Sequence, residues 1–199
     1  MNFCSHCGAA DMKRVLPLGD IGIRHTCFAC GTVHYQNPNV VAGCVATWDN
    51  KVVLCRRAIE PFAGLWTIPA GYLESGETVE EAARREAHEE GGVSIGRLDL
   101  MSLYNLPMFG EVYLVYRGAL LSPTVSAGEE SSEVGLFSPS DIPWDSFAFP
   151  MAREALAFWI QTLRDASANV QTLDFFWGPE GAVRVRRHPN TMPNTRGRK

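Results

Sequence analysis

The sequence predicts an α+β chain, a small N-terminal zinc ribbon followed by a larger domain of strands and two helices. Three observations predict it. Two Cys-x2-Cys knuckles fall early in the chain, Cys4/Cys7 and Cys27/Cys30, with 19 residues between them. From residue 40 onward, apolar β-rich runs alternate with turn residues. The stretch Thr78–Glu90 contains good helix formers and neither Pro nor Gly.

In chain order, residues 1–36 read as the ribbon. Two residues between cysteines let one tight turn aim both thiolates at one ion, and a glycine follows each knuckle (Gly8, Gly31) where the backbone must turn. Four sulfur ligands leave no open coordination position, so Zn²⁺ here is expected to be structural. So short a segment cannot bury a self-sufficient core without it. A pair of disulfides is the competing reading. The N-terminus lacks a basic segment followed by an apolar core, so a secreted, oxidised protein is not expected and the cytoplasm is. His6 and His25 read as solvated neighbours.

Asn37-Pro38-Asn39 marks a junction, and residues 37–170 are expected to form the main domain. Val40–Trp48 and Lys51–Cys55, separated by Asp49-Asn50, predict a β-hairpin. Gly64–Pro69 reads as a short extended piece. The helix from Thr78 carries a capping box, with Glu81 three residues on, and Gly91-Gly92 ends it. Leu98–Leu106, Glu111–Leu121 and Glu133–Phe137 predict strands. Pro150–Ala166 predicts a second helix, with Ala152, Leu156, Trp159, Ile160 and Leu163 on one face. Residues 171–199 read as a basic extension whose last dozen residues are expected to be mobile.

Charge sharpens this division. The 199 residues hold 18 Lys plus Arg and 22 Asp plus Glu, a net charge of −4. Six of the basic residues lie in positions 184–199 without a single acid, so residues 1–183 carry a net charge of −10. An acidic body and a ribbon with few basic groups argue against nucleic acid as a partner. No run of about eighteen uncharged apolar residues exists, so no membrane helix is expected.

The chemistry concentrates on the first helix. Glu86, Glu89 and Glu90 are spaced by three and four, which directs their carboxylates to one side of one turn. Like charges so close repel, and a divalent cation offsets the repulsion. All-oxygen ligands suit Mg²⁺ or Mn²⁺. Upstream, Gly71–Glu77 forms a glycine-containing loop whose carbonyls can face the same ion, and Arg85 can pair with Glu77. A solvated acidic helix face is the alternative, and spacing alone leaves it open.

Residues 71–93 resemble the Nudix box, Gly-x5-Glu-x7-Arg-Glu-U-x-Glu-Glu-x-Gly-U, where U is a bulky aliphatic residue. Gly71, Glu77, Arg85, Glu86, Glu89, Glu90 and Gly92 occupy every fixed position. Ala87 is the one departure. The flanking segments His34–Pro38, Cys55–Pro61, Gly64–Gly71, Glu130–Val134 and Ile142–Trp144 are similar to those of zinc-ribbon Nudix hydrolases, over about residues 3–165.

The resemblance implies an α/β/α sandwich with a mixed sheet. It implies Mg²⁺-dependent hydrolysis of a nucleoside diphosphate linked to another group. Glu86, Glu89, Glu90 and the Gly71 carbonyl would hold the metal, with Glu77 the structural partner of Arg85. For a further carboxylate that aligns metal or water, Glu133 is the first choice and Glu130 the second. Arg56 and Arg57 are candidates to clamp a phosphate. Phe62, Trp66 and Tyr104 are candidates to stack on a base or flavin, although each also fits a core position. A Ser-Gln-Pro-Trp-Pro-Phe-Pro signature of NADH pyrophosphatases is missing from the corresponding Leu103–Phe109, while Pro107 lies 15 residues after Gly92, as in ADP-ribose enzymes. ADP-ribose or FAD, cleaved to release AMP, is therefore the expected substrate. The alternatives are a non-catalytic nucleotide sensor or nucleic-acid adaptor, and a nucleoside triphosphate pyrophosphatase. The family also implies a homodimer as a common assembly, though no segment marks an interface.

Overall fold

The computed structural model describes residues 1–165 and 169–188. Two compact units divide at Asn37/Pro38. In the first, β1 (Met12–Val15) and β3 (Val33–His34) flank β2 (Arg24–Cys27) in an antiparallel sheet. The two knuckles repeat one turn. The Gly8 N–H donates to the Cys4 carbonyl and the Gly31 N–H to the Cys27 carbonyl, each at 2.8 Å. Both glycines have positive φ (76° and 77°), the left-handed region that residues with a Cβ rarely enter.

The second unit is built on one mixed sheet. Its strands are β4 (Asn39–Trp48), β5 (Lys51–Arg57), β6 (Trp66–Thr67), β7 (Ala70–Tyr72), β8 (Ile95–Leu106), β9 (Glu111–Leu120), β10 (Ser131–Phe137), β11 (Gln171–Trp177) and β12 (Val183–Arg187). Along the sheet the order is β10-β5-β4-β9-β8-β11-β12, with β6 added to β5 and β7 to β4. The β4–β9 and β8–β11 pairs are parallel and the other pairings antiparallel. Asp49 and Asn50 both adopt positive φ (46° and 60°), as the tight β4–β5 turn requires.

Helices α1 (Val79–Gly91) and α2 (Pro150–Thr162) cover the two faces. Period-two alternation sorts β4 between them. Val41 and Val45 join the cluster that contains Leu156, Phe158 and Trp159 of α2, whereas Ala42, Cys44 and Ala46 join that of Ala82, Ala83 and Ala87 of α1. β5 does the same, with Val52 and Leu54 toward α2 and Val53 and Cys55 toward α1. The α/β/α sandwich with a mixed sheet is thus the observed fold. Burial raises the thiols of Cys44, to about 12, and of Cys55, so both stay protonated and unreactive.

Helix α1 starts where the capping box places it. The Glu81 N–H donates to the Thr78 hydroxyl at 3.2 Å, and the Thr78 N–H donates to the Glu81 carboxylate at 2.7 Å. It ends at Gly92, φ 62°. Within the predicted extended piece 64–69 only Trp66–Thr67 form a strand, β6, and β7 follows after Ile68-Pro69. The segment expected as a separate extension divides. Gln171–Trp177 and Val183–Arg187 are strands of the main sheet, because Leu173 and Phe175 bury completely against the α2 side. Helix α2 ends at Thr162, short of the predicted Ala166, with Leu163 and Arg164 already in a turn. Ala166 itself and residues 189–199, for which mobility is expected, lie outside the described residues.

Candidate active site

β7 is the seam at which the two faces of the sheet meet. On the α1 side, Glu86 lies directly over Gly71. A Cβ on Gly71 would run into the Glu86 carboxylate, so any larger residue there requires that side chain to move away. Glu90 accepts the Ala70 N–H at 3.1 Å. Arg85 ties the loop to the helix. Its guanidinium donates to Glu77 at 2.7 Å, to Glu86 at 2.6 Å, to Glu89 at 3.1 Å and to the Tyr72 carbonyl at 3.0 Å.

Three carboxylates thus share one guanidinium while Glu90 lies outside its reach, and the electrostatics reflect the surplus. Burial, with Glu86 and Glu130 nearby, raises Glu90 to about 8, although the Ala70 N–H and Arg57 pull it back. Burial also raises Glu86, against the opposing pull of Arg85. Glu77 is lowered by Arg85. A buried carboxylate whose charged form is disfavoured, facing a glycine cradle, in an all-oxygen donor set, fits a hard divalent cation. Arg85 occupies the space between Glu86 and Glu89, and the glutamates are not drawn within 4.8 Å of one another. Among the described residues only the ribbon cysteines form a group that close.

Those cysteines fit zinc on geometry. Cys4–Cys30 and Cys7–Cys27 sulfurs are each 3.7 Å apart, close to the edge of about 3.8 Å that a tetrahedron of ~2.3 Å Zn–S bonds demands. His34 Nε2 lies 3.2 Å from the Cys4 sulfur. His34 carries no spacing signal that marks it as a neighbour of the sulfurs; β3 brings it alongside through its pairing with β2.

On the α2 side of β7 a cavity of about 590 Å³ opens. Ala70, Gly71 and Tyr72 form its edge toward the carboxylates, and its walls are apolar and aromatic. Of the predicted stacking residues, only Phe62 lines it, half exposed and edge-to-face with Phe149 at 5.5 Å. Trp66 and Tyr104 are corrected to core residues. Trp66 packs on Phe137 at 4.9 Å, and Tyr104 is wholly buried against Phe175, its hydroxyl donating to Gln171. Phe109, Phe149 and Trp177 line the cavity and went unread. The spacing Leu173, Phe175, Trp177 was the available signal for the last of them.

The two arginines separate. Arg57 lines the cavity, anchored by its Nε–H donating to the Pro61 carbonyl at 2.9 Å and lying 5.2 Å from the centre of the Phe149 ring. Arg56 donates to the Gly64 carbonyl and pairs with Glu133 at 3.3 Å. Glu133 is therefore held across the β5–β10 register opposite Arg56. Glu130 is the acid whose charge bears on both Glu86 and Glu90.

Comparison with known proteins gives a consistent result. The NUDIX domain family model matches residues 37–156, and the Nudix N-terminal model matches residues 2–36. An ADP-ribose pyrophosphatase of Methanocaldococcus jannaschii is 33% identical over 113 residues, 55% of this chain and 67% of that protein. A NAD-capped RNA hydrolase NudC of Vibrio atlanticus is 27% identical over 180 residues, 87% of this chain and 63% of that protein. The crystal structure of a NUDIX hydrolase from Nitrosomonas europaea superposes with a TM-score of 0.82 at 38% identity, over 87% of this chain and 99% of that one.

Proposed function

The chain belongs to the Nudix family and is a Nudix pyrophosphohydrolase with that family's N-terminal ribbon, and from that premise we propose that it hydrolyses the pyrophosphate bond of ADP-ribose or FAD and releases AMP. One observation carries the reading: an aromatic-walled cavity large enough for a nucleoside abuts, through β7, the glutamates of α1. A base held in that cavity leaves its phosphates beside Glu86, Glu90 and Arg57.

Glu86, Glu89, Glu90 and the Gly71 carbonyl would hold Mg²⁺ or Mn²⁺. When bound, the cation neutralises the pyrophosphate oxygens and lowers the pKa of a water. The protein's residues do the positioning. Arg57, held by Pro61, clamps a phosphate oxygen. Of the two further acids, Glu130 is better supported as the group that orients the water and takes its proton, because Glu133 is engaged by Arg56. As water oxygen bonds to one phosphorus, the bridging bond breaks and the leaving phosphate carries the electron pair away. Zn²⁺ on Cys4, Cys7, Cys27 and Cys30 would serve the ribbon's fold.

A substrate panel of ADP-ribose, FAD, NADH, nucleoside triphosphates and NAD-capped RNA, with product analysis, tests this. The expected result is Mg²⁺-dependent AMP release from ADP-ribose or FAD. Faster cleavage of the capped RNA would transfer the assignment to the activity named for the NudC relative, and faster cleavage of NADH would overturn the choice of ADP-ribose or FAD. Glu90→Gln keeps an acceptor for the Ala70 N–H but loses the charge, so turnover should fall by on the order of 10³-fold with folding intact. Undiminished turnover would refute the metal assignment.

A further inference from the structure

Residues 171–188 lie beyond the stretch matched by the NUDIX domain model, yet they finish the cavity. Leu173 and Phe175 of β11 are buried on the α2 face, and Trp177 continues that face to the end of the strand, where it is 52% exposed and lines the cavity. Val183 of β12 lines it too. The Trp177 ring meets Phe109, from the β8–β9 turn, edge to face at 5.6 Å. That contact fixes the indole and leaves a large π surface at the cavity that the fold itself does not use.

One acidic side chain shares this wall. Glu111 accepts the Tyr72 hydroxyl on Oε1 at 2.7 Å and also lines the cavity. An ionised carboxylate has about four lone-pair positions and no donor. Stacking tolerates any base. An acceptor discriminates, because an exocyclic amine can donate to it, whereas a keto oxygen placed there leaves two acceptors face to face.

Resting on the substrate reading above, we propose that Trp177 and Glu111 select the base of the substrate: Trp177, braced by Phe109, stacks on the ring, and Glu111 accepts the amine of adenine and disfavours a 6-keto purine. The wall that joins Trp177 of β11 to Glu111 of β9 is thereby the specificity wall of the site.

The full zinc-loaded chain, without added Mg²⁺, is titrated with adenosine and with inosine by calorimetry and tryptophan fluorescence. Neutral nucleosides keep the α1 glutamates, Glu86, Glu89 and Glu90, out of the readout. Adenosine should bind about tenfold tighter than inosine and quench fluorescence. Trp177→Ala should weaken both by about tenfold, leave their ratio unchanged and remove the quench. Trp177→Phe, which keeps a ring, should retain part of the affinity. Glu111→Gln, which still accepts from Tyr72, should bring the two affinities together. Equal wild-type affinities, or unaltered binding in Trp177→Ala, would overturn the proposal. With Mg²⁺, Trp177→Ala should raise KM for ADP-ribose with kcat within about twofold. A base preference without hydrolysis of ADP-ribose or FAD overturns the substrate reading alone. Hydrolysis without a base preference overturns the specificity wall alone.

Discussion

The two faces of the main sheet are packed by opposite means. Toward α2 lie Leu54, Tyr104, Phe175, Leu156, Phe158 and Trp159. Toward α1, the facing residues of helix and strands are Ala42, Cys44, Ala46, Cys55, Ala82, Ala83 and Ala87, in a cluster completed by Val53, Val93, Ile95, Leu98 and Leu120. Large side chains bury more area per residue and carry most of the hydrophobic stabilisation. Small ones allow a helix to approach a sheet closely. That approach sets Glu86 on the Gly71 backbone and Glu90 against the Ala70 N–H. The α2 face is thus built for stability and the α1 face for position. The cavity draws its walls from the first and its edge from the second.

The contrast can be broken most severely on the large side. Trp159 is 3% exposed, and Trp159→Ala should cost about 4 kcal/mol of stability, lowering the melting temperature by roughly 10 °C, with kcat/KM nearly unchanged below the transition. A parallel loss of kcat/KM in folded protein would show that the faces are not separable.

The charge on the small side comes next. In metal-free protein, burial pushes Glu90 up to about 8 in the folded state, from the ordinary carboxyl value of 4.5. The folded state therefore binds more protons than the unfolded state between those values, and stability must fall as pH rises through that window. Chemical denaturation from pH 5 to 8.5 should show a decline of about 3 kcal/mol or less that Glu90→Gln flattens and that Mg²⁺ increasingly offsets as pH rises. A metal-free profile that climbs over this range would contradict the burial of an uncompensated carboxylate.

The smallest effect tests spacing itself. Ala87 is fully buried on the sheet side of α1. Ala87→Leu should cost about 2 kcal/mol and, by pushing α1 outward, reduce kcat more than that loss of stability would suggest. Stability lowered with kcat intact would mean that close approach does not position the glutamates.

What was legible in the sequence follows the same division. Helix α1, its cap, the knuckle turns and the β4–β5 hairpin are determined by residues within a few positions of one another, and each stands in the structure where local chemistry puts it. The cavity is different. It depends on Trp177 and Phe109 meeting across 68 positions, by way of the parallel pairing of β11 with β8, which leaves no local mark. Tyr104 and Trp66 looked like binding aromatics because composition does not distinguish the inner from the outer side of a strand. Strand register sets Glu133 opposite Arg56, a pairing with no local mark in the sequence. Ion pairs across a sheet follow pairing, and pairing is global.

Gly71 and Glu86 share one volume. A methyl at the first and a carboxylate at the second cannot both be present without movement. The two positions are therefore a single unit for anyone redesigning this site: a side chain at residue 71 displaces the Glu86 carboxylate, and a shorter side chain at 86 frees the space beside the backbone 15 positions earlier.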